Sequence, residues 1–108
     1  MRRGDIVAVA PQGDYGRPRP ALIVQSDALN EADSVLVVLF TSALTEAPLY
    51  RLTVEASDAN GLKTFSQLMV DKILAYPRAK CGAAIGRLEP QYLFAVNAML
   101  TLMIGLGD

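Results

Sequence analysis

The sequence predicts a mainly β domain in which a small barrel of short strands is closed by a C-terminal helix. Short runs of β-branched and apolar residues recur along most of the chain, separated by turns rich in glycine, proline, aspartate and asparagine. The final stretch instead has apolar residues at helical spacing behind a proline. Because strand-rich chains avoid open edges by curling, about five to seven such strands favour a small barrel.

Two apolar runs, at residues 21–24 and 35–40, are too short and too apolar for surface helices, so we predict both as buried strands. Further strands are predicted at residues 5–10, at 50–54, and over 66–76 as one strand that bends at Asp71 or two that join there. The connecting elements are loops at residues 11–19 and 43–47, a helical turn after Ser26, a turn centred on Asn60 and Gly61, and a helical turn at 77–80.

The last predicted element is a helix that begins near Pro90, a residue suited to a first helical turn. Its apolar residues form one stripe and continue onto other faces: Leu93, Val96, Leu100 and Met103, then Phe94, Met99 and Ile104. A helix that is apolar on several sides is expected to be buried on several sides, against its own sheet and against a partner.

Composition bounds the domain count and the oligomeric state. We expect the 108 residues to form a single domain, numbered 1–108, with one core. The hydrophobic fraction of 52% against 19% charged residues is high for a small monomer, so we expect a second copy to cover some apolar surface. The net charge of −1 excludes a global basic field, although arginines near the N-terminus allow a local basic patch.

Residue types also exclude several kinds of site. The chain has one cysteine, Cys81, and no histidine, so we predict no disulfide, no metal site and no cofactor. The start of the chain is not typical of a signal peptide, and the uncharged stretch of fourteen residues at 93–106 is too short to span a bilayer. We therefore expect a cytoplasmic protein without a membrane partner.

The chemically most informative stretch lies at residues 16–42. Arg17 and Arg19 stand between prolines, which hold the chain extended at the start of the second strand. If that strand pairs with the next one, Arg19 lies near Thr41, where the next strand ends. A guanidinium beside a hydroxyl on one rim of a sheet suits the binding of a phosphate.

Five segments, in this order, resemble the MazF/PemK/Kid family of bacterial toxin–antitoxin toxins: RRGDIVAVA, GRPRPALIVQSD, LFTS, LMVDKILAYPRAKCG and IGRLEP. The resemblance covers essentially the whole chain. It implies an SH3-like, CcdB/PemK-like barrel that forms a homodimer. It also implies a metal-independent endoribonuclease that cuts single-stranded RNA to 2′,3′-cyclic phosphate and 5′-hydroxyl ends, and a cognate antitoxin whose tail occupies the RNA groove. Binding to DNA is implied only through the antitoxin complex.

The resemblance also implies site residues. The family's catalytic arginine falls on Arg19, its catalytic threonine or serine on Thr41, and a site aspartate of some members on Asp71. One branch has an arginine where this chain has Met69, and another has a histidine in the first loop. The RNA-binding candidates are Arg17, Ser42, Arg3, Arg51 and Arg78, of which Arg51 or Arg78 would compensate for Met69.

The candidate residues suit different parts of RNA cleavage. The planar fork of Arg19 matches phosphate oxygens and stabilises a phosphorane. Thr41 can donate a hydrogen bond or relay a proton. Asp71 can act as the base if partial burial raises its pKa, and otherwise electrostatic stabilisation and orientation must carry the rate.

Two other functions remain open at this point. A CcdB-like toxin has the same barrel but poisons DNA gyrase through its C-terminal helix. A catalytically inactive homologue would serve only as an antitoxin-binding partner. The pairing of RPALIV with LFTS favours the nuclease, whose RNA motif we expect the loops at residues 11–18 and 43–48 to select.

Overall fold

The computed structural model describes residues 1–10 and 17–108. It contains the strands β1 (Asp5–Val9), β2 (Arg19–Ile23), β3 (Ser34–Thr41), β4 (Arg51–Val54), β5 (Ser66–Pro77) and β6 (Ala84–Arg87), and the helix α1 (Pro90–Met103). Single turns of 3-10 helix lie at Asp27–Leu29 and Arg78–Lys80. The predicted fold class, mainly β with one C-terminal helix, is confirmed.

The strands form one curled antiparallel sheet in the order β4-β5-β3-β2-β1-β6. The connection between β4 and β5, residues 55–65, returns from one edge of the sheet to the other. There the backbone N–H of Arg87 on β6 donates to the carbonyl of Ala59 at 2.9 Å. The two edge strands are thus linked by this connection, which we call the closing segment.

Side chains on the two faces of the sheet form two apolar clusters, because successive residues of a strand point to opposite faces. The larger cluster lies inside the curl and packs against α1. Its largest members are Phe40, Ile6, Leu22, Leu68 and Leu88, each almost completely buried. The smaller cluster, on the other face of β1, β2, β3 and β5, is built mainly of valines. This double packing explains why the predicted strands read as continuous apolar runs.

Three elements bear on the sequence-based predictions in different ways. The strand β6, AIGR, was not predicted, because it is short, carries a glycine and has mostly exposed side chains. Of the two arrangements predicted for residues 66–76, one strand is found, and its predicted bend at Asp71 coincides with a register shift against β3 between Val38 and Phe40. On α1 only Val96 is fully buried, and Phe94 is 78% exposed. The predicted packing of its other apolar faces against a partner stays a prediction. Within the described residues, no helix has the length and apolarity needed to cross a membrane.

Candidate active site

An open cavity of about 690 Å³ lies at one end of the barrel. We call it the mouth cavity. Its described lining residues come from the start of β2, the end of β3, the closing segment, β1, β5 and β6: Arg17, Pro18, Arg19, Pro20, Phe40, Thr41, Ser42, Gly61, Leu62, Lys63, Thr64, Ser66, Ala8 and Ile85. Its volume is in the range of ligand-binding pockets, roughly 300–1,000 Å³.

Pairing of β2 with β3 brings Arg19 and Thr41 to the same rim. Ala21 lies opposite Leu39 in the antiparallel register, so the start of β2, at Arg19, and the end of β3, at Thr41, lie at the same end of the strand pair. Both side chains are half-buried and line the mouth cavity, whereas the neighbouring Arg17 and Ser42 are exposed. The structure therefore brings together four of the site residues named from the sequence.

The hydroxyl of Thr41 is oriented by its own turn. The backbone N–H of Ala43 donates to Thr41 Oγ1 at 3.1 Å, so the oxygen already accepts one hydrogen bond. A hydroxyl is also a donor, and its hydrogen can be directed to a ligand in the mouth cavity. This arrangement is suited to donating a hydrogen bond to a phosphate oxygen.

The described lining of the mouth cavity differs in charge from the chain as a whole. Of its described lining residues, Arg17, Arg19 and Lys63 are basic and none is acidic. The chain as a whole has eleven acidic and ten basic residues. This local excess of positive charge favours an anionic ligand.

Sequence reasoning missed a buried amide beside the cavity. Gln67 of β5 lies opposite Thr41 in the β3–β5 pairing and is 6% exposed. Its Oε1 accepts from the backbone N–H of Thr45 at 2.9 Å, and its Nε2 donates to the carbonyl of Thr45 at 2.9 Å and to Thr53 Oγ1 at 3.2 Å. Gln67 therefore holds the β3–β4 loop next to Thr41. The signal available from the sequence was a lone amide within an apolar strand.

Asp71 does not line the mouth cavity and instead binds Arg51. Arg51 Nε lies 3.0 Å from Asp71 Oδ1, and Lys72 Nζ lies 3.8 Å from Asp71 Oδ2. Partial burial acts to raise the pKa of Asp71, but the hydrogen bond and charge of Arg51 outweigh it and lower this pKa below the ordinary value. The raised pKa expected for a catalytic base is therefore not found within the subunit.

Two other arginines named from the sequence also lie outside the cavity. Arg3 donates from Nε to the carbonyl of Val24 at 2.8 Å and from its terminal nitrogen to Asn97 Oδ1 at 2.7 Å. Arg78 donates to the carbonyls of Ala32 and Leu29, at 2.7 and 3.2 Å. Both guanidinium groups donate hydrogen bonds to backbone carbonyls and so stabilise local structure. Their predicted contacts with RNA stay predictions.

The described lining residues can hold an anion but offer no carboxylate, imidazole or thiol ligand for a metal ion. Elsewhere in residues 1–10 and 17–108, no three such groups lie close enough together to bind one.

Comparison with known proteins assigns the chain to a family. Residues 2–104 match the family described as "PemK-like, MazF-like toxin of type II toxin-antitoxin system". The chain is 42% identical over 108 residues to a Mycolicibacterium smegmatis protein named "Probable endoribonuclease MazF", and the match covers 99% of each chain. The chain therefore belongs to the PemK-like, MazF-like toxin family of type II toxin–antitoxin systems.

Solved structures share the fold. A mycobacterial endoribonuclease in complex with its cognate antitoxin superimposes with a TM-score of 0.80 at 24% identity, covering 98% of this chain and 96% of that one. The Mycobacterium tuberculosis toxin MazF-mt6 gives a TM-score of 0.79 at 20% identity, covering 94% and 96%. At these identities the comparison shows that the chains share the curled sheet and its C-terminal helix.

Proposed function

We propose that this toxin is an endoribonuclease that cleaves single-stranded RNA in the mouth cavity. The observation that carries the proposal is the lining of that cavity, which includes Arg17, Arg19 and Lys63 together with the hydroxyls of Thr41 and Ser42. None of its described lining residues is acidic. Because the net charge of the chain is −1, it can attract a polyanion only through a local basic surface. The name of the 42% identical relative supports the same activity.

The proposed reaction is a transesterification within the RNA. The 2′-oxygen forms a bond to the adjacent phosphorus, the bond from phosphorus to the 5′-oxygen breaks, and the products carry a 2′,3′-cyclic phosphate and a 5′-hydroxyl. The proton of the 2′-hydroxyl is lost, and the leaving 5′-oxygen gains one. Between these states the phosphorane carries extra negative charge, which the enzyme must stabilise.

Arg19 and Thr41 are suited to that task. A guanidinium keeps its positive charge and can donate two parallel hydrogen bonds to phosphate oxygens. Across the β2–β3 pair, Thr41 donates its hydroxyl hydrogen to a phosphate oxygen or to the leaving 5′-oxygen. Because the described lining residues include no carboxylate, stabilisation and orientation carry the rate, and the proton of the 2′-hydroxyl passes to water. The role of Asp71 as a general base stays a prediction, and its lowered pKa is unfavourable for that role.

We also propose a homodimer that binds a cognate antitoxin. The exposed apolar side chains of the C-terminal region are the surface on which a second copy would pack: Phe94, Leu102, Ile104 and Leu106. A solved structural relative is bound to its cognate antitoxin, which supports a corresponding partner here. An RNA substrate implies that the toxin acts in the cytoplasm.

The test is to incubate the purified toxin with a long single-stranded RNA in EDTA and to map the 5′ ends of the fragments. We expect cuts at one recurring short motif, with 5′-hydroxyl ends, and their loss in Arg19→Ala. Arg2→Ala is the matched control, because Arg2 is exposed and does not line the cavity. Intact RNA from folded wild-type protein would contradict the proposal, and a gyrase supercoiling assay would then test the alternative toxin activity.

A further inference from the structure

We propose that Lys63 and Thr64 form a second phosphate-binding subsite of the mouth cavity, on a different part of its rim than Arg17 and Arg19. The subsite would hold the RNA backbone at a phosphate other than the scissile one. This inference rests on the proposed endoribonuclease function, because it assigns a further contact to the same polyanionic substrate.

The position of Lys63 follows from the order of elements around the mouth. The start of β5, the end of β3, the start of β2, the end of β1, β6 and the closing segment succeed one another around it. In this order β3 and β5 separate β2 from the closing segment on one side, and β1 and β6 separate them on the other. Arg17 and Arg19 therefore line the cavity from a different part of the rim than Lys63, and an RNA chain crossing the mouth would pass between the two parts.

Lys63 is available to bind a ligand. Its side chain is exposed, lines the cavity and makes no ion pair with any residue in the described part of the chain. Lys72, by comparison, lies 3.8 Å from Asp71. The adjacent Thr64 also lines the cavity and adds a hydroxyl that can donate to a phosphate oxygen.

The backbone that carries Lys63 is held firmly. Asn60 is fully buried, its Oδ1 accepts from the backbone N–H groups of Ser57 and Leu62 at 3.0 Å each, and its Nδ2 donates to the carbonyl of Glu55 at 2.9 Å. Gly61 has a φ of +71° and approaches β6 so closely that a Cβ would lie 2.0 Å from the carbonyl oxygen of Ile85. The subsite is thus preorganised, which lowers the entropic cost of binding.

The space between the two basic walls exceeds what one phosphate needs. The cavity measures about 690 Å³, and Ile85, 43% exposed, lines it next to the closing segment. An exposed apolar side chain at this place offers a contact for a nucleobase between the two phosphates. The mouth cavity therefore fits a nucleotide flanked by two phosphates, one at Arg19 and one at Lys63.

The test compares Lys63→Gln with Lys80→Gln, a matched control in which the lysine is exposed and does not line the cavity. Cleavage kinetics are measured on an RNA that carries the mapped motif. Binding is measured by fluorescence anisotropy on labelled 2′-O-methyl RNA, which lacks the attacking hydroxyl, between about 50 and 200 mM salt. Both measurements are repeated with RNAs shortened stepwise from each end.

We expect Lys63→Gln to raise KM and Kd severalfold without changing kcat, because the lost contact lies away from the scissile phosphate. The slope of log Kd against log salt should fall by about 0.7, the effect of one phosphate contact in a single strand. Shortening the RNA past that phosphate should weaken binding of the wild type and leave Lys63→Gln unaffected. Lys80→Gln should match the wild type throughout.

Equal KM, Kd and salt slope in Lys63→Gln and Lys80→Gln would overturn the subsite while leaving cleavage by the wild type intact. Absence of cleavage by the wild type would contradict the proposed function instead. The anisotropy measurement needs no cleavage, so it still decides whether Lys63 binds a phosphate.

Discussion

Two regions of the barrel hold an arginine among polar groups, and they differ in where the acidic residues lie. In the first, Arg51 and Asp71 form an ion pair of 3.0 Å with side chains 14% and 22% exposed. In the second, the mouth cavity, the described lining residues include three basic side chains and no acidic one. Pairing opposite charges stabilises a fold, whereas gathering like charges destabilises it. The described lining of the mouth cavity therefore has the composition of a binding site. The Arg51–Asp71 pair has the composition of a structural ion pair.

The largest expected difference between the regions is in the response to a charge-preserving substitution. Arg19→Lys keeps the positive charge but loses the planar fork that can hold two phosphate oxygens. We expect kcat to fall by about 10²–10³, the loss typical of one preorganised donor. Arg51→Lys, outside the cavity, should leave kcat near the wild-type value. Single-turnover cleavage of the mapped RNA measures both, and equal losses in the two variants would remove the distinction between the regions.

A second difference concerns the hydroxyl of Thr41, on the same rim as Arg19. Thr41→Val removes the donor while keeping the β-branched shape of the side chain, so the end of β3 should keep its geometry. We expect kcat to fall about a hundredfold, at the lower end for loss of a proton donor in the transition state. Thr41→Ser, which restores the hydroxyl, should recover most of the rate. Thr101→Val on the exposed side of α1 is the control, and a Thr41→Val enzyme as active as this control would exclude a role for the hydroxyl.

Removing the side-chain amide of Gln67, which holds the loop beside the mouth cavity, should have an effect of intermediate size. Gln67→Leu leaves the backbone N–H and carbonyl of Thr45 without their partner and frees the β3–β4 loop. We expect a loss of about 1–3 kcal/mol in the free energy of unfolding, because two hydrogen bonds that each contribute about 0.5–1.5 kcal/mol are lost. Urea denaturation measures this loss.

The same Gln67→Leu variant should also have a raised KM, because the freed loop borders Thr41. Gln91→Leu, an exposed glutamine on α1, is the matched control for stability and for cleavage. If Gln67→Leu is destabilised but cleaves RNA with wild-type KM, the loop does not contact the substrate and Gln67 is purely structural.

The elements that the sequence predicted correctly are those in which local pattern and tertiary packing agree. The runs at β2 and β3 are apolar because both faces of the sheet are covered, and the rim on which Arg19 and Thr41 meet follows from pairing these neighbours. The helix after Pro90 begins where the proline predicts. In each case the element is predicted by a few residues that are adjacent in the sequence.

The features that escaped prediction depend on contacts between distant segments. The strand β6 exists because Asp5–Val9 and the closing segment pack on it, not because AIGR favours a strand. Lys63 enters the cavity only because the closing segment crosses to that edge. The ion pair of Asp71 was not predicted, because its partner Arg51 lies twenty positions earlier, on the neighbouring strand. Spacing along the chain carries no signal of such pairs.

The smallest expected effect on catalysis is that of removing the Arg51–Asp71 ion pair. The pH dependence of stability tests whether this pair is structural. Burial acts to raise the pKa of Asp71, but Arg51 lowers it below the ordinary value of 3.8. A folded-state pKa below the unfolded one means that the carboxylate stabilises the fold fully above about pH 3.8 and that this contribution is lost as the pH falls through the lowered value. Asp71→Asn should therefore cost about 1 kcal/mol of unfolding free energy at neutral pH.

Urea denaturation at a series of pH values tests this expectation, with Asp58→Asn as the control, because Asp58 is exposed and forms no ion pair with a described residue. The stability gap between the wild type and Asp71→Asn should be constant at neutral pH and should narrow below about pH 3.8. Cleavage by Asp71→Asn should stay close to that of the wild type, since the mouth cavity is unchanged. A loss of kcat as large as that of Arg19→Lys, with stability intact, would instead make Asp71 a catalytic group, and the two regions would then be parts of one active site.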